Sequence, residues 1–285
     1  MIKKTTHLLH HAYINRYAVG AFNVYNLEGT RAVIESAQEL ESPVILQILP
    51  SALKIGKEAL IQMCLAAASS SSVPVAVHLD HCSQKDTIKF ALDNNISSVM
   101  ADGSHLDFQS NLDFTLEIVK LAKKYGAGVE GELGKITGNE DGVESNNRVE
   151  EMTDPEQAME FVQKTGVDAL AVCIGNIHGR YETPPVLDFN LLDQIKNKLD
   201  HPLVLHGSSG LPDEMINKAM DSGVCKFNVN TEVRSVYLKK LSCLFKQKSS
   251  PELIDIMAQS IDAMKLPVKE KIMLFKSKEK AGDIY

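Results

Sequence analysis

A short apolar run followed by an amphipathic stretch with helical spacing recurs eight times between Tyr17 and Leu241. This alternation limits the possible folds more than any other feature of the chain. The apolar runs are Tyr17–Val24, Pro43–Leu49, Val73–Asp80, Ser97–Asp102, Ala127–Leu133, Asp168–Ile174, Pro202–His206 and Val224–Val229. They are nearly continuous rather than alternating, as strands covered on both faces are. The helical stretches between them are Leu27–Leu40, Ile55–Ser69, Gln84–Asn94, Leu112–Tyr125, Pro155–Thr165, Asn190–Leu199 and Pro212–Ser222, with a last one beginning near Thr231. Eight such units predict a (β/α)8 (TIM) barrel. A doubly wound open sheet is the competing architecture, but it usually has fewer strands and one switch point. Here polar residues follow at least six of the eight runs, which favours a ring. Ser249–Phe275 reads as extra C-terminal helices, and residues 1–285 as one barrel domain.

Composition narrows the function. The chain has 285 residues, is 44% hydrophobic and carries a net charge of −7, so it has no electrostatic footprint for nucleic acid. Any phosphate must be held by local N–H groups or a metal. No apolar run reaches the roughly 18 residues of a membrane span, and Met1–Thr5 does not start a signal peptide. The five cysteines show no CxxC spacing, which fits reduced thiols in a cytoplasmic protein and gives no thiolate metal site.

The chemistry collects at the strand ends. His81, His178 and His206 close the third, sixth and seventh runs, and in a barrel those ends converge on one rim. A lone histidine there is usually structural. Three neutral imidazoles together suit Zn²⁺ and leave positions open for substrate oxygens. His78 reads as a packed or supporting residue, and His7, His10, His11, His105 and His201 fall outside the pattern. Asp80 precedes His81 and reads either as a general acid/base or as a hydrogen-bonded support. Glu130 and Glu132 alternate, so they share a face; pointed inward they would be coupled, and one could bind metal. Asp102 reads as a partner to a ligand histidine or as an alternate metal ligand.

Gly179, Gly207 and Ser209 follow the sixth and seventh strands, and Asn228, Asn230 and Thr231 end the eighth. Small and hydroxyl residues in those loops let a phosphate approach backbone N–H groups and a helix start. Two long loops, Gly134–Val149 with Glu140 and Gly175–Val186 with His178, read as lids over a site, against the plainer reading of solvated surface. A metal, acid/base carboxylates and a phosphate site together suggest proton abstraction beside the carbonyl of a phosphorylated sugar, through an enediolate. No lysine ends a central strand, which argues against a Schiff base.

At this point the motifs AVGAFN (Ala18–Asn23), HLDH (His78–His81), SVMADGSH (Ser98–His105), EGELGKITGNEDG (Glu130–Gly142), GNIHG (Gly175–Gly179), LVLHGSSG (Leu203–Gly210), KFNVNTE (Lys226–Glu232) and KIMLF (Lys271–Phe275) come into line. In this order they are similar to the class II (zinc-dependent) fructose-bisphosphate aldolase family, which includes tagatose-bisphosphate aldolases. The resemblance implies zinc on His81, His178 and His206, one ion per subunit, with Glu132 associated when substrate is absent. It implies Asp80 as the acid/base at the C4 hydroxyl and Glu140 as the base at the hydroxymethyl carbon of dihydroxyacetone phosphate. Gly179, Gly207, Ser209, Asn228 and Thr231 match its phosphate positions, and Asn23, Ser208 and Asn230 complete the expected substrate-binding set. A monovalent cation (Na⁺ or K⁺) near the phosphate, and a homodimer or homotetramer, are also implied.

The departures concern substrate. Glu182 stands where many members have lysine, with Arg180 as the substitute charge; Leu49 replaces a serine, with Ser51 nearby; Asn230 replaces aspartate or alanine; and FKSKEKAG (Phe275–Gly282) alters the usual tail. No arginine for a second phosphate is apparent. The alternatives are a related class II aldolase with a different aldehyde, and a catalytically silent barrel that binds a sugar phosphate.

Overall fold

The structure is a computed structural model. It describes residues 1–140, 143–144, 151–179, 181, 183–247 and 250–284, with the side chains of 139, 140, 143 and 144 outside that description. Eight parallel strands close into a barrel: β1 (Val19–Asn23), β2 (Val44–Ile48), β3 (Val75–Cys82), β4 (Ser98–Ala101), β5 (Gly128–Leu133), β6 (Ala169–Val172), β7 (Leu203–Leu205) and β8 (Val224–Val229). Each strand pairs with its neighbours in chain order, and β8 pairs with β1 through Val19↔Lys226 and Ala21↔Asn228. Every residue of every barrel strand is buried, which is why the sequence shows solid apolar runs.

The interior has a polarity. Towards the strand starts, Val19, Ala21, Ile45, Ala76, Ala169, Ala171 and Val204 form one apolar cluster with Leu8, Leu9 and Ala12. Those three belong to an N-terminal helix, Thr5–Asn15, that lies ahead of the first element the sequence pattern predicts. The alanines leave room for its side chains at the closed end. Towards the strand ends the buried residues become polar: Asn23, Gln47, His78, Asp80, Glu130, Glu132, His206, Lys226 and Asn228. Burying so many polar groups is costly unless they satisfy one another; most of these do, while Gln47 Oε1, His78 Nε2 and Glu132 Oε2 have no hydrogen-bond partner among the described residues.

Two helices start earlier than their apolar periodicity. The helix Phe108–Lys123 is capped by the Asp107 side chain, which accepts from Ser110 N. The helix Pro50–Ser70 begins with proline at its first position. The expected C-terminal extension is the helix Leu253–Leu274, which runs through Pro267 and buries Ile261, Met264, Val268 and Ile272. Phe275 then stacks on Phe227 of β8 with ring centroids 4.8 Å apart.

Beyond the barrel, the strand Thr137–Glu140 pairs in parallel with Ile177–His178, and antiparallel with Val143–Glu144. The long loop after β5 is thereby joined to the loop that carries His178.

Candidate active site

Asp80 and His81 are consecutive, and regular alternation would send them to opposite faces. The structure resolves this with a bulge. The β3–β4 register shifts between Leu79 and Cys82, and His81 takes a left-handed φ of 43°. That extra residue turns both side chains to the mouth of the barrel. Asp80 is fully buried and accepts from three amides: Asn23 Nδ2 at 2.9 Å, Asn228 Nδ2 at 3.1 Å and Gln47 Nε2 at 3.3 Å. The predicted Asn23 and Asn228 therefore hold Asp80 directly.

His81, His178 and His206 meet at this mouth, with ring centroids 4.5 Å (His81 to His206), 4.8 Å (His81 to His178) and 5.9 Å (His178 to His206) apart. Two of the rings have their outer nitrogens engaged. His81 Nδ1 donates to Asp102 Oδ2 at 2.9 Å, and His206 Nε2 donates to Glu130 Oε1 at 2.9 Å. The inner nitrogens, His81 Nε2 and His206 Nδ1, then face each other at 2.7 Å. Two lone pairs cannot rest at that distance without a proton or a cation to share. Nearby, Glu132 Oε2 is buried with no hydrogen-bond partner among the described residues, 3.8 Å from His206 Nδ1 and 3.9 Å from His81 Nδ1. The residues fit a divalent cation. Two sets have ligand atoms within 4.8 Å of one another: the three histidines, and His81 with Asp102 and Glu132.

The electrostatics agree. Burial alone would lower the His81 pKa, but the carboxylates of Asp80, Asp102 and Glu132 outweigh it and raise it well above the usual imidazole value. Burial, then the charges of His81 and Lys226, push His206 well below that value. Glu132 is raised well above the ordinary carboxylate range by burial and by Asp102. Burial opposes ionisation of Asp102, yet its hydrogen bond to His81 holds it below that range.

Below the imidazoles lies a second layer. Lys226 Nζ is 2.8 Å from Glu130 Oε2 and donates to Asn228 Oδ1 at 2.8 Å. His78, lowered to about 3 by burial and then by Lys226, is a neutral ring beside this pair, with Nδ1 2.7 Å from Ser98 Oγ. Glu130 and Glu132 do both point inward, but at different depths: Glu132 faces the imidazole cluster, and Glu130 supports His206 from beneath.

The expected phosphate residues cluster on the β6–β8 side of the mouth. Gly179 and Gly207 have left-handed φ values of 91° and 64°. A Cβ on Gly207 would stand 2.0 Å from Ile177 O, so only glycine fits. Ser209 and Thr231 line a hollow of about 410 Å³ with Tyr181 and Lys239. Thr231 opens the helix Thr231–Gln247, whose first N–H groups are suited to an anion. Besides Asn23 and Asn228, two more predicted members are otherwise engaged. The Ser208 hydroxyl donates to Asn228 O at 2.6 Å, and Asn230 Oδ1 accepts from Tyr25 at 2.9 Å. Glu140 ends its rim strand, but its side chain lies outside the described residues, as do Arg180 and Glu182.

The sequence model of class II fructose-bisphosphate aldolases matches residues 3–280. This chain belongs to the class II fructose-bisphosphate aldolase family. It is a class II aldolase by that membership, and solved structures agree. A structure from Coccidioides immitis, itself provisionally assigned as a fructose-1,6-bisphosphate aldolase, is 32% identical over 98% of both chains with a TM-score of 0.94. The YdjI aldolase of Escherichia coli K12 is 33% identical, with a TM-score of 0.87 over 99% of this chain and 100% of that one. Fructose-bisphosphate aldolase from Campylobacter jejuni shares the fold at 20% identity, with a TM-score of 0.82 over 98% and 97% of the two chains.

The aldolase site also contains residues that strand-end reasoning passes over. Lys226 lies two positions before Asn228, so period-two alternation already placed it on the same inward face. Gln47 was visible as the one polar side chain in the run PVILQIL.

Proposed function

We propose that this aldolase cleaves a ketose bisphosphate of the fructose- or tagatose-1,6-bisphosphate type, reversibly, to dihydroxyacetone phosphate and an aldehyde such as glyceraldehyde 3-phosphate. The observation that carries this reading is Asp80, held by three amides on the bulge that also presents His81 to the other two imidazoles. His81, His178 and His206 would hold one Zn²⁺ per subunit, with Glu132 joining when substrate is absent and Asp102 orienting His81. Bound there, the ion supplies Lewis-acid polarisation of the ketone carbonyl.

The chain's own groups do the rest. Asp80 removes the C4 hydroxyl proton; the C3–C4 bond breaks; its electron pair passes into the ketone half as an enediolate; and C4 leaves as the aldehyde carbonyl. Glu140 then returns a proton to C3. In condensation the same proton transfers run backwards. Gly179, Gly207, Ser209 and Thr231 would bind the phosphate of the ketone half, with a Na⁺ or K⁺ ion beside it. We read the protein as a cytoplasmic homodimer or homotetramer acting on a small sugar phosphate. Leu238, Phe245, Leu253 and Ile254, all exposed on the C-terminal helices, support an interface there. Leu49, in place of a serine, favours a second reading in which the aldehyde partner differs.

The test is proton exchange. The metal-loaded protein is incubated with dihydroxyacetone phosphate in D₂O, and loss of the hydroxymethyl proton signal is followed by NMR with and without chelator. Stereospecific, chelator-sensitive exchange is expected. Absence of exchange in fully metal-loaded protein would sink the aldolase reading in favour of a silent binding barrel.

A further inference from the structure

We propose that the Tyr181 hydroxyl is a positioning group that locks the loop carrying His178 to the loop carrying His206, so that the imidazole cluster and the phosphate hollow keep their shapes together. This rests on the aldolase reading and adds to it a residue that acts through the backbone of others.

Tyr181 follows His178 by three positions, in the loop after β6, and is half-buried. Its hydroxyl stands between two backbone groups. It accepts from Ile177 N at 3.2 Å and donates to Gly207 O at 3.0 Å. Ile177 is the residue before His178, and Gly207 is the residue after His206. One oxygen atom therefore fixes a peptide group beside each of two imidazole residues. An N–H can only donate and a carbonyl can only accept, so joining them takes a group that does both, as a hydroxyl does. The two loops already approach closely here, since a Cβ on Gly207 would lie 2.0 Å from Ile177 O. A second tie lies deeper. Asn176 is fully buried; its Oδ1 accepts from Ile174 N at 2.9 Å, and its Nδ2 donates to His206 O at 3.2 Å. Asn176 joins the loops at the barrel and Tyr181 joins them at the rim.

The ring serves the phosphate side. It lines the hollow of about 410 Å³ with Ser209, Gly210 and Thr231, and a Cβ on Gly210 would meet its Cδ2 at 3.8 Å. The far end of the turn Gly207–Gly210 is held from another direction. Gly210 N donates to Glu232 Oε1 at 2.8 Å, and Lys271 Nζ, on the helix Leu253–Leu274, is 3.0 Å from the same oxygen. Between these ends the Ser208 hydroxyl is tied to Asn228 O. The turn is thus suspended from Tyr181 at its start and Glu232 at its end. Loss of the Tyr181 hydroxyl frees the start alone, which is the end nearest His206, and leaves the rest of the turn anchored.

The experiment compares full-length wild type with Tyr181→Phe, which removes one oxygen and keeps the ring, and with Tyr181→Leu, which removes both. Apparent Zn²⁺ affinity is measured by chelator competition. Exchange of dihydroxyacetone phosphate in D₂O is measured at saturating metal, and denaturation midpoints are recorded for each protein. Neutral hydrogen bonds of this kind support effects of about threefold to tenfold. Tyr181→Phe is expected to weaken Zn²⁺ binding by that factor and to raise KM for dihydroxyacetone phosphate by a similar one, with kcat within about twofold of wild type. Tyr181→Leu is expected to raise KM further and to leave Zn²⁺ affinity where Tyr181→Phe puts it. A lower denaturation midpoint with both affinities unchanged would reduce Tyr181 to a structural residue and overturn the proposal. So would a shift in only one of the two affinities in Tyr181→Phe, or a further loss of Zn²⁺ affinity on removing the ring, which would assign the effect to packing. Absence of exchange in metal-loaded wild type overturns the aldolase reading instead, and the Zn²⁺ comparison then decides by itself whether the hydroxyl ties the two loops.

Discussion

Lys226 Nζ stands 2.8 Å from Glu130 Oε2 in the interior of the barrel, and both side chains are shielded from solvent. The pair ties the two working parts of the site together. On one side Glu130 accepts from His206 Nε2, which leaves Nδ1 facing His81 Nε2 as the nitrogen open to the proposed metal. On the other, Lys226 donates to Asn228, which donates to Asp80. A buried pair of this kind costs desolvation and is weak evidence for stability; its value here lies in orientation.

Lys226→Met should therefore act twice. It strands a buried carboxylate, which costs about 3–5 kcal/mol of stability. It also loosens a ligand's partner, which typically weakens metal affinity about 10–100-fold. In the double variant Lys226→Met/Glu130→Gln, much of the stability should return and the metal affinity should not. Denaturation midpoints and chelator competition separate the two effects. Recovery of both together would mean that the pair has no role in orienting His206.

Metal binding should depend on pH through His81. Its carboxylate neighbours overcome burial and raise its pKa well above the ordinary imidazole value of about 6.5. In metal-free protein the stability from this protonation is fully present below the unfolded value and is lost as pH rises through the raised folded one. A metal must displace that proton, so apparent affinity should climb about tenfold per pH unit until the raised value is passed. Calorimetry in buffers of different ionisation enthalpy would count the proton released. Affinity that is flat across neutral pH would contradict the assignment.

Gly207→Ala probes how the phosphate loop and the metal site share backbone. The new Cβ would lie 2.0 Å from Ile177 O, and the residue's φ of 64° is itself unfavourable for alanine. Ile177 precedes His178 in the rim strand, so relieving the clash moves a ligand. The expected result is a loss of about 1–3 kcal/mol in stability, with weaker binding of both metal and dihydroxyacetone phosphate. Unchanged metal affinity would show that the two loops move independently.

Much of this was legible in the sequence because a barrel writes itself as repeated apolar runs. His81 and His206 could be placed on one rim from their positions at run ends, and His178 from the loop that follows the sixth run. What the sequence concealed has local physical causes. The helix Thr5–Asn15 precedes the repeat and shows little segregation of apolar from polar residues, so periodicity did not reveal it. The bulge at His81 breaks the alternation rule that would have separated it from Asp80. Alternation places Lys226 inward, but nothing in the sequence shows its role, because the carboxylate that makes its burial tolerable lies on a strand three positions away round the ring. The role of Glu140 rests on the family motif alone.

Asp80→Asn is the sharpest test of the catalytic reading. The variant keeps the shape of the side chain and the bulge, so the fold and His81 should be undisturbed. Its surroundings are three amide donors, Asn23, Gln47 and Asn228. An asparagine offers them one acceptor oxygen in place of two and turns an NH₂ group towards a donor, so the side chain is both neutral and poorly matched. General acid/base groups of this kind contribute about 10²–10⁴-fold. Cleavage of the ketose bisphosphate should fall by that factor, while bound metal stays at the wild-type level. Exchange of dihydroxyacetone phosphate, which needs no proton transfer at C4, should fall much less. If cleavage and exchange fell together, Asp80 would be acting through the geometry of His81, and the acid/base at C4 would have to be sought elsewhere in the mouth.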